Sequence, residues 1–208
     1  MDDCCGHKGA ELERLAADAS QRQVLVTVLV LNAAMFVAEF SAGLIAGSAA
    51  LMADSVDMLG DASVYGLSLY AMGRSHRWKA GAAVTKGIFI LALGLGVLVE
   101  IAIKMSSGVP PISSLMLVMG MLALAVNLYS LKLMWRFRSL DVNMSSTVEC
   151  SRNDALANVG VILAACAVWT TGSFWPDIAV AAIIAALFLR SALRMLAEAW
   201  PQFRHAHS

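Results

Sequence analysis

The sequence has little charge, few cysteines and no excess of basic residues. Charged residues make up 14% of the 208 residues and the formal net charge is zero, so there is no basic surface for nucleic acid. The 4 cysteines form neither a disulfide framework nor the CxxC spacing of a zinc ribbon. The N-terminus lacks the basic-then-apolar layout of a cleaved signal peptide. These absences argue against a nucleic-acid-binding protein, a disulfide-rich secreted domain and a zinc ribbon.

Apolar residues are abundant instead, at 59% of the chain with a mean hydropathy of +0.72. A helix of about 20 apolar residues crosses the bilayer core. Six segments qualify, over about 23–46, 49–72, 82–105, 112–135, 146–170 and 177–199. Because backbone groups cannot remain unpaired in hydrocarbon, and the alternating pattern of barrel strands is absent, we predict an all-α membrane protein with six transmembrane helices.

The basic residues predict the orientation of these helices. Of the 15 lysines and arginines, all but Lys104 lie at one side of the six segments, which the positive-inside rule assigns to the cytosol. Both termini are then cytosolic, in a protein of the bacterial inner membrane. We expect a cytosolic N-terminal tail (1–22), a six-helix transmembrane domain (23–199) and a short cytosolic tail (200–208).

Three aspartates interrupt the second apolar segment, in the stretch "ADSVDMLGDA". Steps of three and four residues place Asp54, Asp57 and Asp61 on one helix face. Each aspartate costs about 2.5–3.5 kcal/mol at the centre of a membrane helix. Asp57 and Asp61 lie too deep to cap a helix, so we expect them to face an ion path or a partner. Asp54, near the outer end, is either a capping residue or part of the outward path.

The fifth segment offers the matching partner. Cys150, Asp154 and Asn158 follow one another at steps of four. Two helices that each supply two ligands one turn apart can build the tetrahedral four-ligand cage that zinc prefers. A soft thiolate favours zinc or cadmium over magnesium and calcium. The sequence therefore predicts a metal site of Asp57, Asp61, Cys150 and Asp154, with Asn158 beside it.

Other polar residues allow a functional and a structural interpretation. Asn32 and Glu39 share nearly one face of the first segment, where Glu39 either lines an outer vestibule or is an acid near the interface. Cys4, Cys5 and His7, in "DDCCGH", either capture soft metal at the cytosolic mouth or belong to an ordinary tail.

Four more polar residues have simple structural interpretations. Glu100 and Lys104 lie one turn apart and are expected to form a local ion pair. Asn127 is expected to form an interhelical hydrogen bond. Asp177 opens the sixth segment, where the helix dipole favours an acid.

Over about residues 23–199 the sequence resembles the cation diffusion facilitator family. Asp57-xxx-Asp61 matches the family's His-or-Asp-xxx-Asp pair in the second span. Cys150-xxx-Asp154 matches its His-xxx-Asp pair in the fifth span, with cysteine in place of the usual histidine. The resemblance implies zinc efflux, with cadmium as a second substrate, by metal/proton antiport with alternating access.

The resemblance also implies a homodimer. The family usually continues into a cytosolic ferredoxin-like domain, so we expect a short form that dimerises through its transmembrane helices. Two alternatives stay open: a transporter for iron, cobalt or manganese, and a metal-binding membrane subunit without transport. An enzyme is not expected, because the 4 histidines lie in loops or tails and provide no base beside a nucleophile.

Overall fold

The computed structural model describes the backbone of residues 3–71, 76–135 and 142–205, and the side chains over much of these ranges. Each predicted apolar segment forms a helix, and the described residues contain no strand. The helices are α1 (Asp3–Ala46), α2 (Ala49–Ala71), α3 (His76–Ser107), α4 (Ser113–Trp135), α5 (Val142–Thr171) and α6 (Trp175–His205).

The first helix is much longer than its apolar segment. α1 contains 44 residues and begins at Asp3, so most of the predicted N-terminal tail continues the first transmembrane helix. The polar residues before Arg22 extend the helix beyond its apolar part, which is Arg22–Ala46. The assignment of residues 1–22 to the cytosol stays a prediction.

Exposed and buried positions show the arrangement expected in lipid. Large apolar side chains such as Ile45, Leu163 and Trp169 lie on the outside. Polar side chains are buried inside; they are Asn32, Glu39, Ser48, Asp54, Ser55, Lys104, Asn127, Ser130, Asn158 and Asp177. This pattern is typical of a membrane protein, in which polar groups face the bundle interior.

Three described segments are long and apolar enough to cross a bilayer by composition alone: Arg22–Ala46, Ser113–Trp135 and Asp154–Thr171. α2 has 23 residues and is also long enough to cross a bilayer. Its aspartates, however, carry too much charge for a helix that faces lipid on all sides. The predicted fold class, an all-α membrane protein with six helices, is confirmed.

The helices pack as three close pairs, α1 with α2, α3 with α6 and α4 with α5. Each pair is in close contact at a glycine. A Cβ on Gly43 would lie 2.8 Å from Met52 Cγ of α2. A Cβ on Gly94 would lie 2.6 Å from a leucine of α6, and one on Gly120 3.1 Å from an isoleucine of α5. Small residues at these points let the backbones pack tightly, which matters because the hydrophobic effect does not drive helices together in lipid.

α2 is the central helix of the bundle. Among the described residues it contacts each of the other five helices, whereas α1 contacts only α2 and α4. Its aspartates therefore point towards protein on most sides and are shielded from lipid. This placement is what makes a helix with three intramembrane acids tolerable.

Glycines end the three helices α1, α3 and α5, whose C-termini all lie at the predicted outer side. Gly47, Gly108 and Gly172 each have φ between 62° and 64°, the left-handed conformation that glycine adopts without strain. At the α1–α2 turn, Ser48 N donates to Gly43 O at 2.9 Å, the closing bond of a Schellman motif. This turn fixes where α2 begins.

We expect Gly47→Ala to destabilise the protein more than Gly172→Ala. Both substitutions force a Cβ into the left-handed region, at about 1–2 kcal/mol. A Cβ at Gly172 meets no atom within 4 Å, whereas at Gly47 it would lie 2.6 Å from Lys104 Nζ and displace that buried amine. Thermal unfolding midpoints in detergent measure the difference. Equal losses in the two variants would mean that Lys104 is not held against this turn.

Candidate metal centre

Three of the four predicted metal ligands meet between α2 and α5. Asp57 and Asp61 lie one turn apart on α2, and Asp154 lies on α5. The carboxyl group of Asp154 is within hydrogen-bonding distance of both Asp57 and Asp61. The three side chains are partly buried and retain some accessible surface. The structure thus brings Asp154 of α5 against two carboxyl groups of α2 that precede it by 93 and 97 positions.

The fourth predicted ligand, Cys150, lies in α5 one turn before Asp154. Its side chain is outside the part of the chain that the structure describes. Among the side chains that are described, no three His, Cys, Asp or Glu residues are arranged as a ready metal cage. Metal binding by Asp57, Asp61, Cys150 and Asp154 therefore stays a prediction.

Two hydrogen bonds join α4, α5 and α2 in the interior of the bundle, next to this cluster. Asn127 Nδ2 on α4 donates to Asn158 Oδ1 on α5 at 2.9 Å. Asn158 Nδ2 in turn donates to Asp54 Oδ2 on α2. All three side chains are buried. The interhelical hydrogen bond predicted for Asn127 is confirmed. Asn158 orients Asp54 and is not itself one of the predicted metal ligands of α5.

Asp54 and Glu39 are both buried in the bundle, and the part in an outward path suggested for Asp54 stays a prediction. Asp54 is 1% exposed and Glu39 is fully buried. Glu39 does not line an open vestibule: its carboxyl group lies against that of Asp54. No N–H or O–H group of the described residues donates to either of its oxygens. Asp54 likewise does not cap α2, because it lies inside the helix and bonds to α5.

The remaining predicted residues lie elsewhere. Asn32 is buried in α1, where its Nδ2 donates to Val28 O of the same helix at 3.0 Å, so this amide stabilises its own helix. Cys4, Cys5 and His7 lie in the first turns of α1, and their side chains are outside the described set.

Asp177 has a role that the sequence did not reveal. It lies in the first turn of α6 but caps α2: Ser48 Oγ donates to Asp177 Oδ1 at 2.6 Å, and the N–H groups of Ala49 and Ala50 donate to its two oxygens at 2.9 and 3.1 Å. Its predicted position in the first turn of α6 is confirmed, and the hydrogen bonds to α2 are a further role. The signal in the sequence was the serine after Gly47, a typical first residue of a helix.

Lys104 also belongs to this end of α2. It is buried, and its amine lies against Gly47 and near Asp177, so the structure does not support the predicted partnership with Glu100. One buried acid and one buried base from α6 and α3 thus hold the start of α2. This contact fixes the position, along the membrane normal, of the helix that carries Asp57 and Asp61.

Comparison with known proteins agrees with these features. The family model described as the cation efflux transmembrane domain matches residues 25–202. The chain is 26% identical over 196 residues to the metal cation efflux system protein CzcD of Cupriavidus metallidurans, covering 85% of this chain and 62% of that protein.

A second relative is the cadmium, cobalt and zinc/H(+)-K(+) antiporter of Bacillus velezensis, 28% identical over 190 residues, which cover 84% of this chain and 60% of that protein. The chain thus spans less than two thirds of the length of these curated relatives. The family model nevertheless covers most of the chain and all of its described carboxylate cluster. The chain therefore belongs to the cation efflux family, the cation diffusion facilitators, whose members are transporters and not enzymes.

Proposed function

We propose that the protein exports divalent transition-metal ions, zinc and also cadmium, in exchange for protons, and that Asp57, Asp61, Cys150 and Asp154 bind the transported ion. The observation that carries this proposal is the contact of Asp154 with both Asp57 and Asp61 inside a membrane bundle. Intramembrane acids are costly and normally mark an ion pathway. The partial exposure of these three side chains gives an ion access to them.

The same cluster supports exchange with protons. Ionised carboxylates accept hydrogen bonds but cannot donate them, so two carboxyl groups in contact must share a proton. Metal binding requires deprotonated ligands and therefore releases protons. A site that opens to one side at a time would then couple metal movement in one direction to proton movement in the other.

The coupling also has an energetic reason. Moving a cation out of a cell against a negative-inside potential costs about 2.3 kcal/mol per elementary charge per 100 mV. Protons that move inward release free energy from the same potential and from the pH difference. The name of the Bacillus relative, which includes protons and potassium as counter-ions, supports the exchange proposed for this chain.

Transport is tested with the purified protein in proteoliposomes that contain a pH-sensitive dye. We expect zinc and cadmium to produce a metal-dependent pH change that protein-free vesicles lack, and magnesium to produce none because it disfavours a thiolate site. A series with cobalt, manganese and iron then ranks the substrates. Metal binding without metal movement would contradict transport and favour the metal-binding subunit. Metal movement without a pH change would contradict proton antiport.

Cys150→His is expected to shift the metal preference towards zinc. Imidazole remains a good zinc ligand, but it replaces a soft sulfur with a borderline nitrogen. We expect zinc transport to be preserved and the zinc-to-cadmium ratio to rise about tenfold, or about 1.4 kcal/mol.

The matched control is Cys166→Ser, which removes a free thiol that is exposed on the same helix. It should leave the zinc-to-cadmium ratio unchanged. A ratio in Cys150→His that equals that of the control would mean that Cys150 does not bind the ion, and that water or another residue such as Asn158 completes the site.

A further inference from the structure

The carboxyl group of Glu39 is not accounted for by the metal cluster. The residue lies on α1, two helical turns before the α1–α2 turn, and is fully buried. Neither of its oxygens receives a hydrogen bond from an N–H or O–H group of the described residues. A buried ionised carboxylate without a donor or a cation is strongly destabilising. Its surroundings must therefore supply a positive charge or a proton.

The surroundings of Glu39 contain acids and amides but no base. Its carboxyl group lies against Asp54 of α2, and Asp57 is the next charged group acting on it. On its other side Asp54 accepts from the neutral amide of Asn158 on α5, which in turn accepts from Asn127 on α4. The buried amine of Lys104 lies at the start of α2, beside Gly47. No described basic side chain is therefore positioned to neutralise Glu39 and Asp54.

The orientation of Asn158 determines which part of the Asp54 carboxyl group faces Glu39. Its Oδ1 accepts a hydrogen bond from Asn127, so its Nδ2 must face Asp54. The amide of Asn158 thus bonds to one oxygen of Asp54. The other oxygen of Asp54 is left to interact with Glu39. Contact between two carboxyl groups is stable when one proton lies between them, because only a protonated oxygen donates.

We propose that Glu39 and Asp54 form a second cation site, distinct from the metal cluster, that holds one shared proton and gives it up when a metal ion binds beside it. This inference rests on the proposed antiport. The pair is buried, with Asp54 1% exposed and Glu39 0% exposed, whereas the neighbouring metal cluster is partly accessible. A hard metal ion takes about six oxygen ligands, more than this pair can offer. A proton is the cation that fits.

The coupling follows from the helix that the two sites share. Asp54 and Asp57 lie less than one turn apart on α2, so a divalent ion that displaces a single proton from the metal cluster leaves one more positive charge there and raises the potential at Asp54. This repulsion favours release of the shared proton. The metal cluster then supplies one proton and the Glu39–Asp54 pair supplies the second, so that the charge of the divalent ion is balanced by two released protons.

The experiment counts the protons released when zinc binds to the full chain in detergent, by calorimetry in two buffers of different ionisation enthalpy. Glu39→Gln keeps the size of the side chain but cannot exchange a proton, so we expect the count to fall by about one while zinc still binds. Asp54→Asn should lose the same proton. The double variant should lose no more than either single one, because the proton is shared. Glu100→Gln, the same chemical change on a partly buried residue of α3, should leave the count unchanged.

An unchanged count in Glu39→Gln, or in Asp54→Asn if the first variant does not fold, overturns the inference. A double variant that loses two protons shows independent groups and also overturns the shared site. A count that changes when potassium replaces choline in the buffer assigns the pair to an alkali cation and overturns it as well. If the wild-type protein itself releases no proton with zinc, it is the proposed antiport that fails, which separates the two claims.

Discussion

Asp61→Ala and Asp154→Ala are each expected to abolish metal-driven proton flux. Each removes a carboxylate from the point where α2 and α5 meet, and Asp154 is the group that contacts both acids of α2. Replacing a residue that only orients a metal ligand already costs about 10–100-fold in affinity or activity, so loss of a ligand should exceed that. The measurement is the zinc-dependent pH change in proteoliposomes, together with zinc affinity in detergent.

Glu100→Ala is the matched control for both variants, because it removes a carboxylate from α3 at a partly buried position outside the cluster. It should retain flux. Elution as a single species with an unchanged helical signal would show that the inactive variants are folded. Near-normal flux in either Asp61→Ala or Asp154→Ala would exclude that residue from the metal site.

Asp177→Ala is expected to cause the largest loss of stability. The substitution leaves three buried donors without an acceptor, namely Ser48 Oγ and the N–H groups of Ala49 and Ala50. A buried donor that loses its partner costs about 1–3 kcal/mol, and loss of a helix cap about 0.5–2 kcal/mol. Because one side chain serves all three donors, we expect a loss of about 3 kcal/mol.

Asp177→Asn separates the hydrogen bonds from the charge. Its amide oxygen can still accept from the start of α2, so its unfolding midpoint should lie between those of the wild type and Asp177→Ala. The variants are compared by thermal unfolding in one detergent, with zinc binding measured in parallel. An unfolding midpoint of Asp177→Ala equal to that of the wild type would mean that α2 does not depend on this cap.

The six helices could be predicted because apolarity along the sequence reports directly on contact with lipid. Their ends could not be predicted as well. α1 begins at Asp3 and α6 ends at His205, both beyond the apolar segments, because a helix continues through polar residues once it leaves the hydrocarbon. The Asp57–Asp61 pair was also predictable, because a spacing of four residues fixes one face of one helix.

Contacts between distant segments were not predictable from spacing. Asp177 and Ser48 are 129 positions apart, and nothing in either local sequence shows that they meet. Lys104 was assigned to Glu100 because they are one turn apart, yet it packs against Gly47 in the turn between α1 and α2. Glu39 was placed at an outer opening because its depth was known but its neighbours were not. Helical periodicity gives the direction of a side chain and not the identity of what it faces.

The central position of α2 has a consequence for biogenesis. Released alone into a bilayer, this helix would expose aspartates that cost about 2.5–3.5 kcal/mol each at the helix centre. It becomes stable only where the neighbouring helices cover its acids, and it packs most closely on α1 at Gly43 and Met52. We therefore expect α1 and α2 to leave the translocon as a hairpin. Asp57 and Asp61 of α2 meet Asp154 only when α5 arrives, so the carboxylate cluster is assembled at the step in which the fifth helix inserts.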